Sequence, residues 1–329
     1  MDTAYDVDVI ILSLNRISET LAAVDSACAQ SGLSVAVHIV DQGSALENLE
    51  ALKAHIAGRA NIRLTALPNN VGVPGGRNIA SRSGFAPFIV ALDNDAEFAG
   101  GDVLLRAVET LRREPELGAI GFRIVDFATG QDDITSWGYP ALEWERRQLE
   151  FPATNVVGAG HALRRQAFEE AGGYDERLFF VGEELELGLK LLNLGYRIRY
   201  VGSLVVRHKL TLEEHIAWNG GRLFFTARNR IYVALKSGDA IARIVQSAGG
   251  LLLAGLRRRR PLQVLRGIVA GMRLYLSLPD LERKNSASRL KPETAELVDR
   301  LNHRDRYSMW DRCRNAWRAG AETHSVSRS

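Results

Sequence analysis

Four short apolar runs, each followed at once by polar residues, restrict the folds open to this chain more than any other feature. Val7-Asp8-Val9-Ile10-Ile11-Leu12, Val35-Ala36-Val37-His38-Ile39-Val40, the run from Ile62 to Leu67 and Phe88-Ile89-Val90-Ala91-Leu92 are strand-length and nearly continuous in apolar character. That is the pattern of strands covered on both faces. Segments with helical character separate them, from about Ser18 to Gln30, near Leu46 to His55, and beginning near Arg77 after a glycine-rich loop. A βαβαβαβ series of this kind predicts an α/β fold with a mostly parallel sheet, helices on both faces and right-handed crossovers.

In open sheets of this class ligands bind outside the carboxyl ends of the strands. Ser13-Leu14-Asn15-Arg16, Asp41-Gln42-Gly43-Ser44, Asn69 to Asn78 and Asp93-Asn94-Asp95 follow the four runs, so they are predicted to converge on one edge. Asp93 and Asp95, one residue apart, suit a hard divalent cation that takes its other ligands from water and substrate phosphates. The alternative is that Asp95 only caps the next helix. The loop Asn69-Asn70-Val71-Gly72-Val73-Pro74-Gly75-Gly76-Arg77-Asn78 offers glycines for close backbone approach and an arginine at a helix start, both suited to a diphosphate. Its glycine spacing is not that of a dinucleotide fingerprint. Taken alone, Gly75-Gly76 could equally serve a tight turn and Arg77 a solvated surface.

With 329 residues, 46% hydrophobic and 25% charged, the chain reads as an ordinary globular protein of one large or two modest domains. The net charge is only +3, but arginine accumulates in the last third, above all in Arg257-Arg258-Arg259-Arg260. That favours an anionic membrane surface over nucleic acid as a partner. Cys28 and Cys313 make no disulfide framework, which points to a reducing cytoplasm. The first residues are acidic and lead directly into a strand, unlike a secretory signal peptide.

Further along, Glu183, Glu184 and Glu186 open a helix expected to run to about Asn193. Acidic residues are favoured in a first turn in any case. Trp137, Tyr139 and Trp144 lie in a polar stretch, where they could stack on a sugar or lipid or pin a hairpin to the core. From Thr211 onward the chain reads as helical. Ile244 to Leu256 is 13 residues without a charge, too short to span a bilayer. After the arginine run comes an apolar stripe, Leu262, Leu265, Val269, Met272 and Leu276, with Arg266 and Arg273 off it. Such a helix lies on a membrane surface, or packs in a helical subdomain or homodimer interface. The expected organisation is a domain over 1–235, in two halves that meet at about 100. A helical C-terminal extension over 236–329 follows, ending in a polar tail at Ser325 to Ser329.

In order and spacing, several of these motifs together resemble family 2 glycosyltransferases of the GT-A fold, including bacterial rhamnosyltransferase-like members. The motifs are Asp41-Gln42-Gly43-Ser44, the Asn70-x-Gly72-x-x-Gly75-Gly76-Arg77-Asn78 loop, Asp93-Asn94-Asp95, Gly158 to Arg165 with Phe168, Gly172 to Phe180, Glu183 to Leu187, Gly195-Tyr196-Arg197 and His208. The match covers roughly residues 7 to 235. The resemblance implies inverting transfer of a sugar from a UDP- or dTDP-sugar, with Mg²⁺ or Mn²⁺ on the diphosphate. The implied acceptor is a glycan, a lipid-linked molecule or a small molecule. The setting is polysaccharide or cell-wall biosynthesis, in the cytoplasm or on the cytoplasmic face of the inner membrane. It places Ser13, Asn15, Asp41, Asn70, Gly75, Arg77, Asp93 and Asn94 on the donor, with Asp41 at the nucleobase. Asp95 and His208 fall on the metal, and Trp137, His161 and Glu183 on the acceptor side. Glu184, aligned with the family's acidic pair, is then the general base. Two positions depart from the family pattern, Glu184 for the usual Asp and Lys190 for the usual Arg, and both keep charge type. Two other readings stay open, a nucleotidyltransferase that makes such donors and a donor-binding protein without turnover. The first is disfavoured because the first strand leads into Ser13-Leu14-Asn15-Arg16 instead of a glycine-rich triphosphate loop.

Overall fold

A computed structural model of the chain describes residues 5–209 and 221–303. The start of the expected helical region at Thr211, Cys313 and the polar tail at Ser325 to Ser329 lie outside the described residues. By their contacts the residues fall into two units, Met1–Glu213 and Glu214–Ser329. The sequence reading draws its boundary at 235 instead.

The first unit begins with the expected series: β1 (Val7–Ser13), α1 (Ile17–Cys28), β2 (Val35–Asp41), α2 (Leu46–Ile56), β3 (Ile62–Ala66), α3 (Gly72–Arg82) and β4 (Phe88–Leu92). It continues through β5 (Ala96–Phe98), α4 (Val103–Arg113), β6 (Leu117–Asp126), β7 (Glu150–Pro152), β8 (Gly160–Arg164), α5 (Arg165–Glu170), α6 (Glu183–Asn193) and β9 (Arg197–His208). These strands form one sheet in the order β3-β2-β1-β4-β8-β6-β9-β5, with β7 on β9. β3, β2, β1 and β4 are parallel. β8 runs antiparallel between β4 and β6, while β6 and β9 are parallel.

The apolar runs are the core. Val9, Ile11, Val37, Ile89, Val90 and Ala91 are all 0% exposed, and each large aliphatic side chain buried this way contributes about 1.5–3 kcal/mol. Asp8 is the polar exception in the first run. Its carboxylate is buried against His38 Nε2 at 2.9 Å, Arg165 Nη2 at 2.6 Å and the Ala86 amide at 2.9 Å, so the charge is satisfied by hydrogen bonds.

One expectation needs correction. The stretch before Arg77 is helical, since α3 starts at Gly72, five residues earlier than the sequence suggests. Gly72 has φ +82°, and a Cβ there would come 2.4 Å from the carbonyl oxygen of Phe179. Pro74 sits in the first turn, where its missing N–H costs nothing. Gly76 lets the helix lie on β1, since a Cβ there would meet Leu12 Cδ2 at 2.8 Å. The glycines therefore serve helix packing, not an open loop.

β9 carries an irregularity. Phe122 pairs with Val201, but the next residue, Arg123, pairs with Val205, so β9 accommodates three extra residues at 202–204. Beyond the bulge His208 comes opposite Asp126 of β6 and Ala96 of β5.

In the second unit, α7 (Gly221–Ser237), α8 (Ile241–Arg257) and α9 (Pro261–Leu276) pack together. Ala227, Ile231, Val264 and Ile268 form the centre. Gly267 and Gly271 bring α9 onto α7, because a Cβ at either would lie 2.5 Å or less from a carbonyl oxygen of Phe224 or Arg228. The apolar stripe noted in the sequence is not this packing face. Leu262 is 68% exposed and Leu276 63%, with Leu265 and Met272 also exposed. Among the described residues no helix is long and apolar enough to cross a membrane.

Candidate active site

The ends of β1, β2 and β4 do meet at one edge, and the turns there are held by their own polar groups. Asp41 is 1% exposed and accepts from the amides of Gly43 (3.2 Å) and Ser44 (3.0 Å) and from the Ser44 hydroxyl (2.5 Å). Ser13 is buried and accepts through its carbonyl from the Gln42 amide at 2.8 Å. Asn15 and Arg16 both adopt left-handed backbone, at φ 55° and 46°, which non-glycine residues keep only where the surroundings enforce it. The enforcement is visible. Asn15 donates its amide to Ser44 Oγ at 2.7 Å, and its side-chain oxygen accepts from the Ala45 amide at 2.9 Å and Asn48 Nδ2 at 3.1 Å. The turn delivers Arg16 to Asp95, Nη1 to Oδ2 at 2.6 Å.

A second cluster is centred on Arg77, near the middle of α3 and only 3% exposed, so it is not a solvated surface residue. Nη1 reaches Glu184 Oε1 at 2.7 Å, and Nη2 reaches Asp93 Oδ1 at 3.0 Å and the Gly158 carbonyl at 2.9 Å. Burial alone would lower the guanidinium pKa, but Glu184 and Asp93 hold it above its ordinary value. The ring of Tyr174 lies beneath, 5.7 Å from the guanidinium carbon. Asn78 holds the same segment, accepting from the Tyr174 amide at 3.0 Å and donating to its carbonyl at 2.9 Å. Arg77 and Asn78 thus tie the first half of the domain to the second.

α6 presents the glutamates from a tight approach. Phe179 and Val181 have φ +59° and Gly182 φ +91°, and the Phe179 carbonyl accepts from the Val73 amide at 2.7 Å. Glu184 is half-buried on Arg77. Glu183 is 2% exposed and 3.7 Å from Arg77 Nη1. Burial, followed by the neighbouring Glu184 charge, pushes its pKa up to about 8 against the pull of Arg77. Glu186 is fully buried and pairs with Lys190 at 2.9 Å, and Lys190 also donates to the Gly173 carbonyl at 2.5 Å. That pair is structural, and it leaves Glu183 and Glu184 as the acids near the strand ends.

The third cluster joins β4 to β9. One ligand atom from each of Asp93, Asp95 and His208 lies within 4.8 Å of the others. His208 Nε2 is 3.3 Å from Asp95 Oδ1 and Nδ1 is 3.6 Å from Asp133 Oδ2. Burial works against charging His208, but Asp133 and Asp95 outweigh it and raise its pKa to about 10. Burial works against ionising Asp95 too, and His208 and Arg16 outweigh it, lowering its pKa. Two carboxylates and an imidazole are a donor set that fits Mn²⁺ well. His208 Nδ1 is buried without a hydrogen-bond partner, as expected of a ring whose arrangement is completed by a ligand.

Other predicted site residues are placed differently. Asn94 donates to Thr20 Oγ1 at 3.1 Å, and Asn70 accepts from the Gly72 amide at 2.8 Å. Gly75 lies buried in the first turn of α3. His161 is 0% exposed, with Nδ1 at 2.8 Å from the Val157 carbonyl and Nε2 at 2.7 Å from the Tyr174 hydroxyl. Burial, with the Arg77 charge, lowers its pKa to about 3, so it stays neutral and touches the site only through Tyr174. Trp137 packs edge-on against Tyr139 (5.1 Å), Trp144 (5.2 Å) and Tyr200 (5.5 Å), the arrangement expected of a segment pinned to the core. Sequence reasoning gives no role to Arg16 as partner of Asp95, nor to Asp133 behind His208. The Asp133-x-Thr135-Ser136 pattern of a side-chain-capped turn is the one signal available for the latter.

The profile described as glycosyl transferase family 2 matches residues 8–172. Over 257 residues, 75% of this chain, the sequence is 27% identical to the pre-mycofactocin glycosyltransferase of Mycobacterium tuberculosis. The chain spans about half the length of that curated relative, 51%. Over 146 residues it is 30% identical to the O-antigen biosynthesis protein RfbC of Myxococcus xanthus, covering 38% of this chain and 11% of that one. Among solved structures it is similar to the mannosyltransferase PcManGT from Pyrobaculum calidifontis in complex with GDP-Man and Mn²⁺. That likeness has a TM-score of 0.57 at 18% identity and covers 100% of this chain and 89% of the other. GalNAc-T7 with UDP, GalNAc and Mn²⁺ gives a TM-score of 0.56 at 17% identity, covering 72% and 51%. These likenesses show the fold, an α/β arrangement of the GT-A type.

Proposed function

The chain belongs to glycosyl transferase family 2, and from that premise we propose that it transfers a sugar from a nucleotide-diphosphate sugar to an acceptor hydroxyl with inversion. The observation that carries this reading is the meeting of Asp93, Asp95 and His208 within 4.8 Å, beside an Arg77-held Glu184. Asp95 and His208, with Asp93, hold a divalent cation. An imidazole in the set favours Mn²⁺ over the oxygen-seeking Mg²⁺. When bound, the ion supplies charge to stabilise the departing diphosphate. Glu184 takes the acceptor proton through the oxygen that Arg77 does not engage, as the hydroxyl oxygen attacks the anomeric carbon. The sugar–phosphate bond breaks and its electron pair leaves on the nucleoside diphosphate. Asp41, Ser13 and Asn15 shape the nucleoside end, as in the family. The donor is a UDP- or dTDP-sugar.

Mass spectrometry and NMR of products from a panel of nucleotide sugars, incubated with Mn²⁺ and cell lipid and glycan extracts, test the proposal. Expected are a free nucleoside diphosphate and an acceptor one sugar heavier, with the anomeric configuration reversed. Release of pyrophosphate would point to the nucleotidyltransferase reading, and intact donors throughout to a binding protein.

The acceptor reading is a lipid-linked or glycan molecule met at the cytoplasmic surface of a membrane. Its support is in the second unit. Between Ala240 and Leu278 there are seven arginines and no acidic residue, while Ile241 (80%), Val245 (64%), Leu256 (60%) and Leu262 (68%) are exposed. Basic and apolar surface together suit a peripheral contact with anionic lipid. A like-charged second copy suits it less. The full chain should co-sediment with vesicles containing anionic lipid at low salt and be released at high salt. Salt-independent dimers and no vesicle binding would turn this face into a subunit interface.

A further inference from the structure

The geometry points to Asp133 as a positioning residue for His208, one that fixes the ring so that its Nε2 faces the Asp93–Asp95 carboxylates with a lone pair available to a cation. This rests on the proposed metal reading of the site, and it concerns a residue that neither donor nor acceptor chemistry would single out.

Asp133 lies 75 residues before His208 and comes from an irregular segment. The chain leaves β6 at Asp126, turns, and folds back so that Asp132 bridges Val125 and the Asp133 amide donates to the Ile124 carbonyl at 3.1 Å. This sets Asp133 beside the end of β9. Its side chain is 1% exposed. Oδ1 accepts from the Thr135 amide at 2.8 Å and the Thr135 hydroxyl at 2.6 Å, and Oδ2 accepts from the Ser136 hydroxyl. Oδ2 also faces His208 Nδ1 at 3.6 Å, the buried nitrogen that has no hydrogen-bond partner.

Local capping explains only half of this. Asp133 precedes the short 3₁₀ turn Ile134–Ser136, and its cap bond to the Thr135 amide uses Oδ1. An asparagine would cap as well. Oδ2, turned toward the histidine, is where a carboxylate differs from an amide. A neutral imidazole that offers Nε2 to a cation must carry its proton on Nδ1, and a carboxylate placed there both accepts that proton's hydrogen bond and makes the ring a better donor. An amide nitrogen in the same place would oppose the N–H. The gap of 3.6 Å is longer than a hydrogen bond. A ring shift of about half an ångström would close it, in keeping with catalytic hydrogen bonds that tighten only in the loaded state.

The test is Mn²⁺ binding alone, without donor, on the full chain. Free Mn²⁺ is titrated by EPR for the parent, Asp133→Asn and Asp133→Ser, and pulsed EPR reads the imidazole nitrogen coupled to bound Mn²⁺. Both variants keep a capping side chain. Expected are a loss of about 10–100-fold in Mn²⁺ affinity, a weakened or heterogeneous nitrogen coupling, and a metal-free thermal midpoint within a few degrees of the parent. If both variants bind Mn²⁺ within threefold of the parent with the same nitrogen coupling, Asp133 is only a turn cap and the inference fails. If the metal-free midpoints collapse, Asp133→Glu decides in their place: it keeps the carboxylate, so affinity below the parent by no more than threefold supports the inference, and a tenfold loss overturns it. A parent that binds no Mn²⁺ takes the metal reading down with it, which separates the two failures.

Discussion

The two charged clusters at the strand ends are built on opposite plans. Around Arg77 a single buried cation is shared by Asp93, Glu184 and, more distantly, Glu183. Around Asp95 the signs alternate, from Arg16 to Asp95 to His208 to Asp133. The first has more acid than its cation can neutralise in a buried setting, so Glu183 keeps its proton until about pH 8. In the second every acid lies beside a base, Asp95 remains ionised, and His208 is held charged to about pH 10 until a cation displaces its proton. A buried set with surplus acid is a structural joint that retains a proton. An alternating set at the rim can exchange one positive partner for another.

Four substitutions break or sharpen that contrast, in falling order of effect. Arg77→Met leaves Asp93, Glu184 and Glu183 facing one another without their cation. Removing one partner of a buried pair costs about 3–5 kcal/mol, so urea unfolding should show a loss of that size. A loss under about 1 kcal/mol would mean that the carboxylates relax into solvent and the joint is not structural.

Asp95→Ala should act on the other cluster, on function more than stability. Turnover should fall about 10²–10³-fold, and donor affinity should lose its dependence on Mn²⁺ in calorimetry with and without chelator. An unchanged response to chelator would remove Asp95 from the metal. Glu184→Gln keeps size and a hydrogen bond to Arg77 but loses basicity. It should lower the transfer rate by about 10² while donor affinity changes little. A parent-like rate on the true acceptor would shift the assignment to Glu183 or Asp175.

Glu183→Gln gives the smallest effect per pH unit and the clearest sign. The carboxyl pKa is raised from 4.5 to about 8 by burial and the Glu184 charge. Between those pH values the unfolded chain has released this proton and the folded chain has not. Stability therefore falls as pH rises, by at most about 1.4 kcal/mol per unit from this group, and the fall ends above the folded pKa. The variant should gain on the parent from pH 5 to 8 and hold a constant lead beyond. Parallel curves would show that Glu183 titrates normally.

How much of this was legible in the sequence follows from whether the cause is local. The first four strands and Asp93-Asn94-Asp95 could be read because buried parallel strands are apolar on both faces and stop where polar residues begin. The glutamates opening α6 were equally plain. The start of α3 was not, because Pro74, Gly75 and Gly76 look like a turn unless one knows that Leu12 lies 2.8 Å from where a Cβ of Gly76 would be. Nor was it visible that Arg77 is buried, since its carboxylates come from residues 16 and 107 positions away. Trp137 and His161 illustrate the same limit. Both carry polar handles that look available in sequence, and both spend them or their ring faces on neighbours in the interior.

The bulge in β9 puts His208 where it is, and that makes the metal-side arrangement a question of strand phase. Side chains alternate across a sheet, so an odd insertion reverses every residue downstream. The three extra residues at 202–204 are such an insertion, and His208 follows them opposite Ala96. Shortening the bulge by one residue would turn His208 to the other face while leaving every residue of the site in the sequence. Evolution along this branch should therefore be freer to exchange the exposed Ser203 than to change the length of the segment that contains it.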